Sequence, residues 1–191
     1  MQRLKTLIAS AMILSAACYR AAPEPPDPIK GVLSPEEASY FGERGLMVPV
    51  EGVSARELRD SFNAPRSGGR IHGAIDILAP RGTPVVAAIG GQVFRLRQNG
   101  AGGITAYLID TDRRYIYYYA HLSHYSDEIT EGLEVEQGFV IGYVGTSGNA
   151  PPDTPHLHFQ VMRLAPDRRD WWNGPPVDVR SFLTRTGKAR Q

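Results

Sequence analysis

Short apolar stretches recur along most of this chain, and Gly, Pro, Asn and Asp residues separate them. Many of the apolar residues are β-branched or aromatic, and runs of this kind between turn residues predict β-strands. Their regular spacing predicts a mainly β fold, a compact antiparallel β-sheet or barrel-like sandwich with short peripheral helices. The strand-like runs cover residues 83–89, 91–96, 104–109, 114–120 and 157–162, and another pair lies between residues 134 and 144.

Two short helices are predicted ahead of the strands. Ser34 precedes a proline and two acidic residues, which is a common beginning of a helix. Ser54 is followed three residues later by Glu57, the spacing of a capping box, and predicts a second helix over residues 54–62. The expected organisation is a helical lead-in at residues 33–63, a β domain at residues 64–185 and a tail at residues 186–191.

The beginning of the chain has the pattern of an export signal. Residues 1–5 carry two positive charges, and the apolar run that follows has about 11 residues, fewer than the ~20 that a membrane-spanning helix needs. We therefore predict a signal peptide over residues 1–17. Because the run ends in LSAAC, Cys18 would become the lipidated first residue of a bacterial lipoprotein, although Ser15 stands where such motifs usually have Leu. The alternative is ordinary cleavage near Ala17, or after Ala21 or Ala22, and a secreted product.

Composition limits what the remaining chain can do. Residues 18–32 are rich in proline and are expected to form an extended tether, which in a lipoprotein would link the anchor to the domain. At 42% hydrophobic residues the chain has ample material for a core, and with a single cysteine it forms no internal disulfide. The formal net charge is only +1, which lacks the basic footprint of a nucleic-acid-binding protein. We expect an exported protein of the periplasm or cell envelope.

The sequence PHLHF places two histidines in a strand-like run. On a strand, His156 and His158 project to one face, whereas Leu157 and Phe159 project to the other. Neutral imidazole is the commonest metal ligand and a common general base. The run is therefore a candidate metal-binding or catalytic edge, although two histidines in a strand are by themselves a weak signal.

The sequence HGAID offers further candidate ligands. His72 and Asp76 lie four residues apart, close enough to reach one ion, and the second half of IHGAIDILAP is strand-like. With one later histidine they would form a two-His, one-carboxylate set, the usual composition of a catalytic zinc site with an open fourth position. The alternative is that Asp76 caps a turn and His72 lies on the surface.

A third histidine site lies in RYIYYYAHLSHY. A tyrosine-lined histidine suits a cleft that binds sugar and peptide, but aromatic residues are also common in ordinary strands. His124 lies beyond the expected strand end and is predicted to face solvent. Simple alternation places four side chains on one face, namely Tyr115, Tyr117, Tyr119 and His121.

Taken in order, HGAID, YAHL and PHLHF resemble the motifs of the lysostaphin-type (LytM-type) zinc metallopeptidases, which are cell-wall endopeptidases. The flanking sequence EQGFVIGYVGTSGNA is also similar, and the resemblance covers roughly residues 47–183. It implies the duplicated hybrid motif fold, a compact antiparallel sheet with an open groove. The departures are small: Ala74 and Thr154 stand where glycine is frequent in the family.

Position by position, the resemblance implies one Zn²⁺ ion per chain, held by His72, Asp76 and His158. It implies that His121 and His156 are catalytic residues that do not bind the metal. The implied activity is hydrolysis of peptide bonds in the stems or cross-links of bacterial peptidoglycan. The alternative is a non-catalytic regulator that binds and activates a cell-wall amidase; retention of all five polar positions favours the enzyme.

Two further expectations concern the surroundings of the predicted site. Asn63, or another residue of the loop at residues 61–70, could block the open metal position in a latent form. Of the two adjacent tryptophans, Trp171 and Trp172, one is expected to pack against the sheet and the other to be exposed.

Overall fold

The computed structural model describes residues 31–164 and 171–190. The predicted signal peptide, Cys18 and the tether up to residue 30 lie outside the described residues. No helix within the described ranges is long and apolar enough to cross a membrane. The elements are helix α1 (Pro35–Arg44) and strands β1 (Leu46–Met47), β2 (Ile75–Leu78), β3 (Pro84–Val86), β4 (Gly91–Asn99), β5 (Gly103–Asp110), β6 (Tyr115–Tyr125), β7 (Glu134–Val135), β8 (Val140–Val144), β9 (His156–Arg163), β10 (Pro176–Val177) and β11 (Leu183–Arg185).

Nine of these strands form one antiparallel sheet, which confirms the predicted fold class. The main path runs β10-β9-β6-β5-β4-β7. Strand β2 also pairs with β9, whereas β8 pairs with both β3 and the end of β6. Strands β1 and β11 form a separate parallel pair. Strands β6 and β9 therefore lie at the centre, and the residues on their faces determine both the core and the site.

The core is built from alternate residues of the central strands. Tyr115, Tyr117 and Tyr119 of β6 are at most 2% exposed and pack with Leu157 and Phe159 of β9. The opposite face carries a smaller apolar cluster of Tyr107, Ile109, Ile116 and Met162, and Phe94, Tyr118, Leu164 and Trp171 pack against it. Burial of one face and of part of the other makes the two strands a rigid frame for the side chains that they carry.

Helix α1 covers one end of the sheet and begins as predicted. The Ser34 hydroxyl accepts a hydrogen bond from the Glu37 amide, and the Glu37 carboxylate accepts one from the Ser34 amide, so the capping box is complete. Glu37 also reaches the sheet, where Arg163 Nε donates to it at 2.7 Å and the Tyr115 hydroxyl at 3.0 Å. Burial opposes ionisation of Glu37, but the hydrogen bonds and charge of Arg163, together with hydrogen bonds from the Ser34 amide and the Tyr115 hydroxyl, outweigh it and lower the pKa of Glu37 to about 2.

The second predicted helix is only a single 3-10 turn, Ala55–Glu57. Its capping box forms, with the Ser54 amide donating to the Glu57 carboxylate at 2.8 Å. Leu58 then adopts extended backbone, and the following residues carry Phe62 into a site where it is 2% exposed. Burial of Phe62 therefore overrides the local preference for a longer helix.

Candidate metal centre and groove

The metal-ligand candidates of the two ordered motifs meet across neighbouring strands. Asp76 of β2 lies directly opposite His158 of β9, and Ala120 of β6 lies opposite His158 on the other side. His156 lies opposite Leu78 in the same pairing of β2 with β9. The predicted alternation in PHLHF is confirmed, because Leu157 is fully buried whereas both histidines line a groove.

Three side chains converge on one point of that groove. His72 Nε2 lies 3.1 Å from Asp76 Oδ1 and 3.0 Å from His158 Nδ1. Asp76 Oδ1 lies 3.1 Å from His158 Nδ1, which closes the triangle. Two imidazoles and one carboxylate on one side of an open groove match the donor set of a catalytic zinc site. The residues present therefore fit a zinc ion in donor type and number.

Hydrogen bonds on the outer side hold His72 and Asp76 in place. His72 Nδ1 lies 3.0 Å from the Ser61 carbonyl, and a carbonyl only accepts, so Nδ1 carries the proton and Nε2 is free to bind a metal. The Ser61 hydroxyl accepts a hydrogen bond from the Asp76 amide at 3.0 Å. Gly73 turns the chain between the two ligands with φ +69°, a conformation that favours glycine.

His156 and His121 are held in the same way as His72, through Nδ1. Their Nδ1 atoms lie 2.8 Å from the carbonyls of Thr154 and Ser147 respectively, so these nitrogens donate and the Nε2 atoms remain free. His156 Nε2 is 3.9 Å from Asp76 Oδ1, and the His121 and His156 rings lie 4.9 Å apart. Both histidines border the cluster without being among its three candidate ligands.

The position of His121 differs from the predicted strand alternation. Between Tyr119 and Leu122, β6 contains one more residue than the facing part of β5, which is a β-bulge, and His121 has φ +63°. The bulge moves His121 to the face that carries Tyr118 and Ala120, which line the groove. The prediction that Tyr115, Tyr117 and Tyr119 share a face with His121 is wrong; these tyrosines fill the core, as in ordinary strand packing.

The electrostatics of the cluster favour a negative carboxylate at Asp76. Burial opposes the charge on Asp76, but the imidazoles of His158 and His72, each within 3.1 Å of its Oδ1, outweigh burial and hold the pKa of this carboxyl well below its usual range. Burial lowers the pKa of His158 and of His121. Neutral imidazole is the form that binds metal or accepts a proton.

The groove around the cluster has a volume of about 700 Å³. Arg66 and Arg70 line it, and Arg66 Nη2 lies 3.3 Å from Asp76 Oδ2. Asn63 is exposed and is not among the residues that line the groove, whereas Arg66 of the same loop contacts Asp76. The expectation for the tryptophans is confirmed: Trp171 packs at 90° on Phe94, whereas Trp172 is 55% exposed and lines the groove.

His124 also lies where it was predicted. It is exposed at the end of β6 and stacks on Tyr143, with ring centroids 4.4 Å apart, outside the set of residues that line the groove. Sequence reasoning missed the contributions of Ser61, Ser147 and Arg66. Backbone carbonyls carry no sequence signal, and Arg66 stands in APRSGGR, which indicates only a loop.

Comparison with known proteins agrees with this geometry. Residues 70–179 match the model of Peptidase family M23. The chain belongs to this family. The matched range contains all three candidate metal ligands and both flanking histidines. The family includes peptidoglycan endopeptidases, and the implied lysostaphin-type resemblance is confirmed.

The individual relatives and solved structures that resemble this chain include named peptidases. The L-Ala–D-Glu endopeptidase of Bacillus subtilis is 37% identical over 74% of this chain, and the chain spans 44% of that protein. The catalytic domain of the antimicrobial peptidase lysostaphin from Staphylococcus simulans superposes with a TM-score of 0.54 at 26% identity, covering 76% of this chain and 96% of that one. A zinc-containing peptidase from Vibrio cholerae gives a TM-score of 0.53 at 25% identity, covering 63% of this chain and 37% of that one.

Proposed function

We propose that this protein is a zinc-dependent endopeptidase that hydrolyses peptide bonds in the stems or cross-links of bacterial peptidoglycan. The observation that carries the proposal is the cluster of His72, Asp76 and His158, which opens into a groove beside two further histidines. Membership of a peptidase family and the printed activity of the Bacillus subtilis relative support the choice of reaction and polymer.

The residues divide into two groups according to whether their free donor atom belongs to the cluster or lies beside it. His72 offers Nε2, His158 offers Nδ1 and Asp76 offers Oδ1, and these three atoms would hold the zinc ion. A bound zinc ion supplies Lewis acidity, which polarises a peptide carbonyl and makes water a better nucleophile. Asp76 on the sheet and His72 in its loop both line the groove. One side of the cluster therefore faces the groove, where substrate can enter.

His121 and His156 would handle the protons and the developing charge. Each has Nδ1–H committed to a carbonyl, so each presents a free Nε2 that can accept a proton from water and return it to the leaving amine. Once protonated, the same ring stabilises negative charge on the carbonyl oxygen of the peptide under attack. The 4.9 Å separation of the two rings allows one to act as base while the other donates.

We further propose that the protein is exported and, through Cys18, anchored to a membrane of the cell envelope. The basic start, the apolar run and the LSAAC sequence support export, and export would bring the enzyme to its polymer. Incorporation of a labelled fatty acid into the full chain, and its loss in Cys18→Ser, would test the anchor. Labelling that persists in Cys18→Ser would refute it.

The decisive experiment for the activity is digestion of purified peptidoglycan by the zinc-loaded protein, with mass spectrometry of the released fragments. We expect new amino termini within the peptide moiety, and the fragment masses name the bond. The amidase-regulator alternative predicts no released amine from the protein alone, and release only when an amidase is added.

A further inference from the structure

We propose that Arg66 binds a carboxylate of the substrate peptide beside the metal centre, which makes the groove selective for acidic peptides. This inference rests on the proposed peptidase function and adds a specificity-determining residue to it. Arg66 lies in the loop before His72, outside the three motifs that carry the family resemblance.

The contact between Arg66 and Asp76 uses the carboxylate oxygen that faces away from the histidines. Asp76 Oδ1 lies within 3.1 Å of both His72 and His158, whereas Arg66 Nη2 lies 3.3 Å from Oδ2. Arg66 therefore does not occupy the ligand triangle. Its guanidinium is fixed next to the centre while Oδ1 stays directed at the point that the three ligands share.

The same side chain has the capacity to bind a second anion. A guanidinium carries five N–H donors in a planar fork, and one long contact to Asp76 uses only part of that capacity. The Arg66 side chain is 47% exposed and lines the groove, so an incoming peptide can reach it. Arginine can donate two parallel N–H bonds to one carboxylate, and it then binds that carboxylate more strongly and more specifically than a lysine does.

The charges of the groove favour the same ligand. Among the described residues that line it, Asp76 is the single carboxylate, whereas Arg66 and Arg70 are both cationic. The remaining lining is uncharged or imidazole, and includes Tyr118, Gln160 and Trp172. Two cations and one carboxylate leave an excess of positive charge, and an excess of one sign raises the local concentration of the oppositely charged ligand. The substrate that fits is a peptide with an acidic side chain or a free carboxyl terminus near the bond that is cut.

The test compares a stem peptide that the wild-type protein cleaves with two synthetic versions of it, one amidated at the acidic side chain and one at the carboxyl terminus. Each is assayed with Arg66→Gln, Arg66→Lys and the control Arg113→Gln, which removes the same charge in the turn at the far end of β6. We expect Arg66→Gln to lower kcat/KM on the free acid by about 10- to 100-fold, since hydrogen bonds to charged groups contribute strongly. Arg66→Lys should recover little of this, and Arg113→Gln should be unchanged.

For one of the amidated peptides, kcat/KM should be the same with Arg66→Gln as with the wild-type protein. The group that is amidated in that peptide is the carboxylate that Arg66 binds. A second readout is binding of the free-acid peptide to the protein without added metal, where Arg66→Gln should raise Kd by a similar factor. If Arg66→Gln lowers kcat/KM equally on all three peptides and reduces zinc content, Arg66 only positions Asp76, and the inference is overturned. If the wild-type protein cleaves no stem peptide from which such a set can be made, the proposed function is refuted instead.

Discussion

Asp76 and His158 face each other directly across strands β2 and β9, and Oδ1 of the first lies 3.1 Å from Nδ1 of the second. Two of the three metal-ligand candidates are therefore fixed by the hydrogen-bonded register of a central strand. The third, His72, comes from the preceding loop and depends on its hydrogen bond to the Ser61 carbonyl. The sheet determines where the metal centre is, and the loop completes it.

Removing one ligand should abolish metal binding. Replacing His158 with Ala deletes one of only three protein donors, and we expect the zinc content measured by atomic absorption to fall from about one ion per chain to near zero, together with activity. His124→Ala is the matched control, because that exposed histidine stacks on Tyr143 away from the groove. Full zinc content in His158→Ala would show that the ligand set is wrong.

Replacing the flanking histidines should separate metal binding from catalysis. His121→Ala and His156→Ala remove imidazoles whose free Nε2 atoms face the cluster, while the three ligands remain. We expect zinc content to be unchanged and kcat to fall by about 100- to 10,000-fold. Zinc titration and steady-state kinetics on the same preparations test this division. Loss of zinc from either variant would place that histidine among the ligands.

The loop that supports His121 should be intolerant of a single methyl group. A Cβ on Gly148 would lie 2.3 Å from the backbone nitrogen of Gly103, and the adjoining Ser147 carbonyl accepts the His121 hydrogen bond. Gly132 has a similar φ of +88°, but a Cβ there would meet nothing within 4 Å. Gly132→Ala should therefore cost only the conformational penalty of about 1–2 kcal/mol.

In urea unfolding, Gly148→Ala should lose more stability than Gly132→Ala, and its kcat should also fall. Equal losses in the two variants would mean that the loop relaxes and that the close approach to Gly103 is unimportant for His121.

The Glu37–Arg163 pair should make stability depend on acid pH. The folded pKa of Glu37 is lowered from 4.5 to about 2, so the stabilisation is fully present above pH 4.5 and is lost as pH falls toward 2. Glu37→Gln should lower the free energy of unfolding at pH 7 by about 3 kcal/mol, because Arg163 loses its buried partner. It should also flatten the decline between pH 4.5 and 2.

Thermal melts across this range measure both effects. Glu43→Gln, on an exposed part of the same helix, is the control and should change stability by less than about 0.5 kcal/mol. A Glu37→Gln profile parallel to that of the wild type would contradict the assigned pKa.

The elements that the sequence predicts well are those with a local cause. The capping pattern at Ser34 predicts where α1 begins, and alternation in PHLHF predicts which side chains of β9 reach the groove. The assembly of His72, Asp76 and His158 follows from the motifs and their family resemblance, and the structure brings these three residues together.

The parts that the sequence does not predict depend on tertiary contacts. The helix expected at residues 54–62 ends after one turn because Phe62 is buried elsewhere. The face to which His121 projects depends on a bulge. The order of apolar and polar residues does not show that one strand has an extra residue, so simple alternation assigns His121 to the wrong face. Arg66 is unremarkable in its loop until the fold sets it beside Asp76.

Because of the bulge in β6, the number of residues between Tyr119 and Leu122 determines whether His121 reaches the groove. Without the extra residue, continued alternation would direct His121 toward the same side as Tyr119, into a fully packed interior. In related chains, substitutions in this stretch should therefore be found more readily than insertions or deletions of one residue. An active homologue that lacks this residue would need another group to replace His121.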